Sequence, residues 1–331
     1  MPSIVGKEIS LDGLGLMRLT WPGFVTPEDQ ALKTLKTALT AGANIWNAAD
    51  FYGTPSYNSL HLVNRYFSVY PEDADKVVLM VKTGIKDMRT VSMDCSREGL
   101  RGFLDNALRV LDGKKSIDVF GPARIDPNVP VEESVKALEE MRTEGSIGGI
   151  QLSEVRADTI RRAASVAKID MVEAEVNIWS QEVFENGVAK TCAELGVVLV
   201  AHTPLGAGLL TGTVKSAEDV PGVYIERGFP RFLPENIAKN VRSAEEIKKL
   251  AQEKGCTAAQ LALSWVKSHN GRPGMPVIVP VVGARSEERV LENVKTLDLS
   301  DDDFKKIASI LEEFPVVGKR FPDHTFKLNE Y

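Results

Sequence analysis

The chain has little that would anchor, cross-link or metallate it. No stretch approaches the ~18 consecutive apolar residues of a membrane helix. The opening MPSIVGKEISLDG has neither the apolar run of a signal peptide nor the Arg/Ser bias of a transit peptide. These absences predict a cytoplasmic protein with no membrane partner. Cysteine is scarce: Cys95, Cys192 and Cys256 stand far apart with no CxxC pair, as expected of small apolar side chains in a reducing compartment. The four histidines (His61, His202, His269, His324) are equally scattered, so short-range ligand spacing is missing and no metal is expected. Positive charge is in deficit, with 40 Lys and Arg against 46 Asp and Glu for a formal net charge of −6. No general basic field is left for nucleic acid, and an anionic ligand must be met by a local cluster. Low-complexity tracts and Pro/Gly/Ser linkers are absent too. Residues 1–331 therefore read as one domain, expected to act as a monomer on a small molecule.

What is present is a repeated unit. Eight short apolar runs, each followed by an amphipathic segment, predict parallel strands over 14–17, 44–47, 77–82, 117–123, 148–153, 171–175, 197–202 and 277–281. In EDQALKTLKTALTA, Ala31, Leu35, Ala38 and Leu39 fall near one helical face, Thr26-Pro27-Glu28 reads as its start and Gly42 as its stop. EEIKKLAQEKG and TAAQLALSWVKSHNG read as two helices closed by Gly255 and Gly271, filling the last inter-strand gap. Residues 1–12 read as a hairpin turning near Lys7 and plugging the barrel bottom, and 211–241 as a long functional loop. A doubly wound dinucleotide fold would show GxGxxG after its first strand; here that strand gives GLGLMR, without the third glycine. The fold class is α/β, a (β/α)8 TIM barrel with an N-terminal β-hairpin and extra C-terminal helices.

Chemistry in such barrels sits at the carboxyl ends of the strands. Those ends carry Arg18 and Trp21; Asn47, Asp50 and Tyr52; Lys82; Arg124; Ser153 and Glu154; Glu173 and Glu175; His202 and Thr203; and Arg285 and Arg289. Lys82, closing the run VVLMV, should point into the barrel mouth and needs a partner there. A nearby ammonium favours phenolate and would tune Tyr52 as a proton donor. The alternative is that Tyr52 packs in its loop while Lys82 pairs with Asp50.

At these residues the sequence resembles the aldo-keto reductase superfamily. The likeness runs through GLGLM (13–17), AGANIWNAADFYG (41–53), VLMVKTG (78–84), ARIDPNVPVEESVKALEEM (123–141), GGIQLSEVRADTIRRA (148–163), ENGVAKTCAELGVVLVAHTPLGAGLLTG (185–212) and VPVVGARSEERVLENV (279–294), each on its expected strand. The resemblance implies a barrel that binds NADPH at its carboxyl face and reduces aldehydes or ketones. Carried over, Tyr52 matches the general acid and Lys82 the lysine that tunes it. Ser153, with Glu154 and Glu173, matches the residues on the nicotinamide amide. His202, followed by Thr203, takes the place of an aromatic that stacks on the ring. Leu205, Gly206, Gly208 and Leu209 match the loop along the pyrophosphate. Gly283, Arg285, Arg289 and Asn293 match the adenosine end, where arginine would pair with the 2′-phosphate.

Two positions depart from the family. Its active-site aspartate is Asn47 here and its histidine Ala123. Asparagine can only hydrogen-bond the lysine, leaving a less neutralised ammonium beside Tyr52, and alanine removes a donor while opening room for a larger substrate. Both changes, with NAADFYG and FGPARID, are similar to the fungal pyridoxal reductase branch, which implies pyridoxal as the aldehyde and Trp21, Phe51, Ala123 and Arg124 as pocket walls. The alternatives for two of these are core packing for Trp21 and an ion pair with Asp126 for Arg124. A broad aldehyde reductase, or a slow NADPH-binding barrel resembling the subunits that regulate membrane channels, stand as the other readings of the whole chain.

Overall fold

The computed structural model describes residues 2–87, 90, 92–323 and 329–330; His324 lies outside them. Eight parallel strands close into a barrel: β1 (Gly13–Gly15), β2 (Ile45–Ala49), β3 (Val78–Thr83), β4 (Val119–Pro122), β5 (Gly149–Ser153), β6 (Met171–Glu175), β7 (Val198–His202) and β8 (Ile278–Gly283). Each strand pairs with the next in sequence, and β8 returns to β1 through Val281 opposite Gly13. The strands read as apolar runs because helices cover their outer face. Outward side chains such as Trp46, Leu79, Phe120, Ile150 and Leu199 pack under Leu35, Leu62, Leu104, Leu138 and Leu261 of those helices. The inward face holds a second apolar cluster at its lower end, Ile45, Val78, Met80, Val119, Met171, Val198 and Val279, into which Ile4 and Ile9 rise from below. The N-terminal hairpin, Ser3–Ile4 against Lys7–Glu8, thus covers the barrel bottom. Lys7 anchors it by an ion pair to Asp118 at 2.8 Å.

Several boundaries differ from the sequence expectation for local reasons. The hairpin turns at Val5-Gly6, both with positive φ, and Lys7 already belongs to the returning strand. β1 stops at Gly15 because Met17–Thr20 coils into a helical turn that carries Arg18. Pro27 rather than Thr26 begins the helix Glu28–Thr40, without a side-chain cap. Gly255 follows the C-cap of Pro234–Glu253 with φ +70, as a C-terminal glycine should, whereas Gly271 lies well past the end of Ala258–Lys267. Residues 211–241 are not one irregular loop. Pro234, pre-set for a first helical turn, starts the long helix early, and before it come the short turns Ala217–Asp219, Gly222–Glu226 and Pro230–Phe232.

Two glycines test this packing in opposite senses. A Cβ on Gly121 in β4 would stand 2.0 Å from the Gln151 carbonyl oxygen of β5, whereas one on Gly102, inside the helix Arg97–Leu111, would meet nothing within 4 Å. Gly102→Ala should therefore raise unfolding stability by ~0.5–1 kcal/mol, and Gly121→Ala should lower it by ~1–3 kcal/mol or more. Denaturant titration measures both, and a Gly121→Ala protein as stable as wild type would contradict the strand packing.

Candidate active site

Alternate strand residues face the lumen, and on four strands that series turns from apolar to polar toward the carboxyl end. Ile45 gives way to Asn47, Met80 to Lys82, Met171 to Glu173 and Glu175, and Val200 to His202. Lys82 Nζ donates to Asn47 Oδ1 at 2.8 Å and to Glu173 Oε1 at 2.6 Å, and Asn47 Nδ2 donates to Glu173 Oε2 at 2.8 Å. β6 stands three strands from β3 and four from β2, so this triangle spans the lumen. All three residues are buried. The sequence expectation of a less neutralised ammonium is thereby corrected: Glu173 neutralises it from the opposite wall. Asp50 does not pair with Lys82 but accepts a hydrogen bond from the Thr83 hydroxyl.

Tyr52 sits above the triangle, its ring centroid 5.1 Å from Lys82 Nζ and packed edge-on against Trp21 (6.3 Å) and Phe51 (5.1 Å). Burial drives its phenol above the ordinary tyrosine value; Lys82 and Arg124 pull it down and Glu173 pushes it up. The lysine acts in the direction expected from sequence but does not win. Burial disfavours the charged forms of Lys82 and Glu173, yet each holds the other's charge: the ammonium lies above its usual range and the carboxylate below.

A second charged network lies beside the first. Glu154 accepts from His202 Nε2 at 2.6 Å, from Arg320 Nη2 at 3.0 Å and from the Glu175 amide at 2.9 Å, and these contacts overcome burial to hold its carboxyl well below the usual range. Arg231 meets Glu175 at 3.5 Å and donates to Ser180 Oγ at 2.9 Å. Glu154 and Thr203, at the ends of β5 and β7, both take left-handed backbone conformations that side chains other than glycine adopt at a cost.

Above these layers opens a cavity of about 970 Å³, at the upper end for ligand sites. Its walls include Trp21, Asn47, Phe51, Tyr52, Lys82, Arg124 and Glu173, together with His202, Thr203, Leu205, Gly206 and Gly208, and Gly283, Arg285, Arg289 and Asn293. Ser153, Glu154, Leu209 and Ala123 are buried and do not line it. For Ala123 this corrects the expectation of an open substrate position: the Arg124 guanidinium folds back onto the Ala123 carbonyl and lies 3.4 Å from Ser153 Oγ, so it forms that wall itself. Asp126, the partner considered for Arg124, instead accepts from the Cys95 and Asn128 amides. Gly206, Ala207 and Gly208 all have positive φ, a backbone conformation that lets a ligand approach the chain closely. A cavity of this size, lined by an ammonium and a phenol and also by exposed arginines, fits a dinucleotide. Sequence reasoning missed Tyr224, Arg227, Phe229, Arg231, Arg320 and Phe321 on the same walls. RGFPRF (227–232) and KRFPD (319–323), each with arginine beside a Phe-Pro pair, were the available signal.

Comparison with known proteins gives the family and the fold. The model of the Aldo/keto reductase family matches residues 13–312. A Schizosaccharomyces pombe protein named probable pyridoxal reductase 2 is 35% identical, over 97% of each chain. A Saccharomyces cerevisiae putative pyridoxal reductase is also 35% identical, over 93% of this chain and 95% of its own. Among solved structures, a glycerol dehydrogenase from Gluconobacter oxydans superposes with a TM-score of 0.81 at 22% identity over 95% of each chain, a likeness of fold.

Asp50 provides a test of the site's burial. Burial raises its carboxyl to about 7, against hydrogen bonds from Thr83 and Phe51. A raised carboxyl favours the folded state while protonated; that contribution is complete below about pH 4 and is lost as pH rises through the folded value. Asp50→Asn, with no proton to lose, should leave Tm nearly unchanged at low pH and raise it above wild type on the alkaline side. Thermal unfolding across pH checks this, and a pH-independent Tm difference would show that Asp50 is not desolvated.

Proposed function

We propose that this chain, which belongs to the aldo/keto reductase family and is an NAD(P)-dependent oxidoreductase, uses NADPH to reduce an aldehyde to an alcohol, with pyridoxal to pyridoxine as its reaction. The observation that carries the proposal is the Tyr52 phenol, held in the cavity between Trp21 and Phe51 over the Lys82 ammonium. When bound, NADPH supplies the hydride to the carbonyl carbon. Tyr52 supplies the proton to the carbonyl oxygen, and Lys82 stabilises the phenolate left behind. Trp21 and Phe51 exclude water from that oxygen. The raised phenol keeps its proton through neutrality, so reduction persists until pH rises through the Tyr52 value, where the donor is lost. Pyridoxal is favoured because its polar aromatic ring suits walls of Trp21, Phe51 and Arg124, and because the relatives at 35% identity carry that substrate in their names. Rates with pyridoxal against simple aromatic aldehydes separate this reading from a broad aldehyde reductase.

Tyr52→Phe removes only the hydroxyl, and Ala123 offers no replacement donor. The variant should bind NADPH normally while kcat falls ~10²–10⁴-fold. Retention of more than about a tenth of the wild-type kcat, with chemistry rate-limiting, would remove Tyr52 from the role of acid.

On the cavity wall, Arg289 is exposed and pairs with Glu292 at 2.6 Å, while Arg285 donates through Nε to Thr26. The exposed ion pair is worth little and can be exchanged for a phosphate. Arg289→Ala should weaken NADPH roughly ten- to a hundred-fold, the equivalent of ~1.5–3 kcal/mol, and leave NADH almost unchanged. Equal weakening of both cofactors in a fluorescence titration would put the 2′-phosphate elsewhere.

A further inference from the structure

Glu173 is expected, from the family resemblance, to bind the cofactor's amide, yet both its oxygens are engaged inside the lumen, Oε1 by Lys82 and Oε2 by Asn47. We propose that Glu173 is a positioning residue: it is the counter-ion of Lys82 in place of an acid at position 47, and Asn47 is the neutral bridge that Glu173 requires. The inference rests on Tyr52 as the proton donor for its kinetic consequence, though not for its geometry.

The triangle admits one negative charge. Asn47 presents its oxygen to the ammonium and its nitrogen to the carboxylate, so the amide orientation is set by both neighbours. An aspartate at 47 would place a second carboxylate at the 2.8 Å separation now bridged by an N–H, and two carboxylates sharing one ammonium cannot both stay ionised in a buried layer. A glutamine at 173 with Asn47 retained would leave the Lys82 ammonium buried without a counter-ion. The stable pairings are therefore asparagine with glutamate or aspartate with glutamine, a charge exchanged between opposite walls of the barrel. The exchange moves the charge relative to Tyr52, which is faced by Lys82, Glu173 and Arg124, while Glu173 is faced by Lys82 and His202. Asp50 is turned to Thr83.

The experiment compares Glu173→Gln, Asn47→Asp and the double variant with wild type. Its readouts are the ultraviolet titration of the Tyr52 phenolate in the cofactor-free protein, taken as the difference from Tyr52→Phe, the pH dependence of kcat, and NADPH affinity. Glu173→Gln removes a negative charge beside Tyr52, so the phenol should titrate lower by about one unit or more and the alkaline limb of kcat should move down with it. Asn47→Asp adds a carboxyl whose ionisation is forced to the alkaline side, where it should move both upward and lower kcat, and the double variant should return both toward wild type. If Glu173→Gln leaves the titration in place and weakens NADPH binding instead, Glu173 is a cofactor ligand and the proposal is overturned. A double variant no better than the worse single variant overturns it as well. Should Glu173→Gln fail to fold, the double variant decides: recovery of a folded protein supports the exchange, and loss refutes it. Failure of Tyr52 as the acid appears separately, as retained activity in Tyr52→Phe, while the phenolate titration still reads Glu173.

Discussion

The ion pair between Lys82 and Glu173 crosses the barrel, and the upper half of the molecule is arranged around keeping it intact. Removing one partner of a buried pair leaves an uncompensated charge at a cost of ~3–5 kcal/mol, so β3 and β6, which face each other without pairing, are tied across the lumen by electrostatics. The loop above is fixed with similar economy. Tyr52 accepts at its carbonyl from Thr20 Oγ1 at 2.6 Å and from the Ser59 amide at 3.0 Å, and Asn58 Nδ2 donates to the Asp50 carbonyl at 2.6 Å. Gly53 turns the chain at φ +138, where any Cβ would come within 2.4 Å of the Tyr57 carbonyl oxygen. A phenol on such a loop is held over the ammonium by backbone contacts as well as by its hydroxyl's own interaction with Lys82.

The second network uses the same physics to fasten segments that apolar packing alone would leave loose. Arg231 comes from the turn Pro230–Phe232 and Arg320 from the C-terminal tail, and both reach carboxylates at the ends of β5 and β6. Tyr224 stacks on Phe232 at 4.4 Å, and its hydroxyl accepts from Arg18, whose guanidinium also donates to the Ala207 carbonyl. The cover over the cavity is thus tied to the barrel at charged or polar points whose loss would leave buried groups unpaired.

Sequence periodicity shows what is repeated and local. The eight strands were legible because each is buried on both faces and reads as an apolar run. Tyr52 and Lys82 were legible as neighbours because β2 and β3 are adjacent both in the chain and in the barrel. The Lys82–Glu173 contact was not, since it depends on closure bringing positions 91 residues apart to facing walls. Asn47 considered alone reads as a lost charge; only with Glu173 opposite does it become a charge moved. Ala123 misled for a related reason. A small side chain suggests space, but the adjoining guanidinium folds back over it. Arg231 and Arg320 lie in segments with no hydrophobic period, and the Phe-Pro pair beside each was the one local sign that they turn inward.

The distribution of charge separates two tasks. In the buried layer three carboxylates, Glu154, Glu173 and Glu175, are matched by three cations, Lys82, Arg231 and Arg320. Among the described residues these charges balance one another, and any movement of charge at Tyr52 is felt through a low-dielectric surround. At the exposed rim, Arg289 holds only a solvent-screened pair and is able to meet an anion. Exchanging that pair for a phosphate disturbs none of the buried contacts. On the proposed reading, recognition at the rim can therefore be altered without retuning the phenol, whereas a change at 47, 82 or 173 acts first on the charge beside Tyr52.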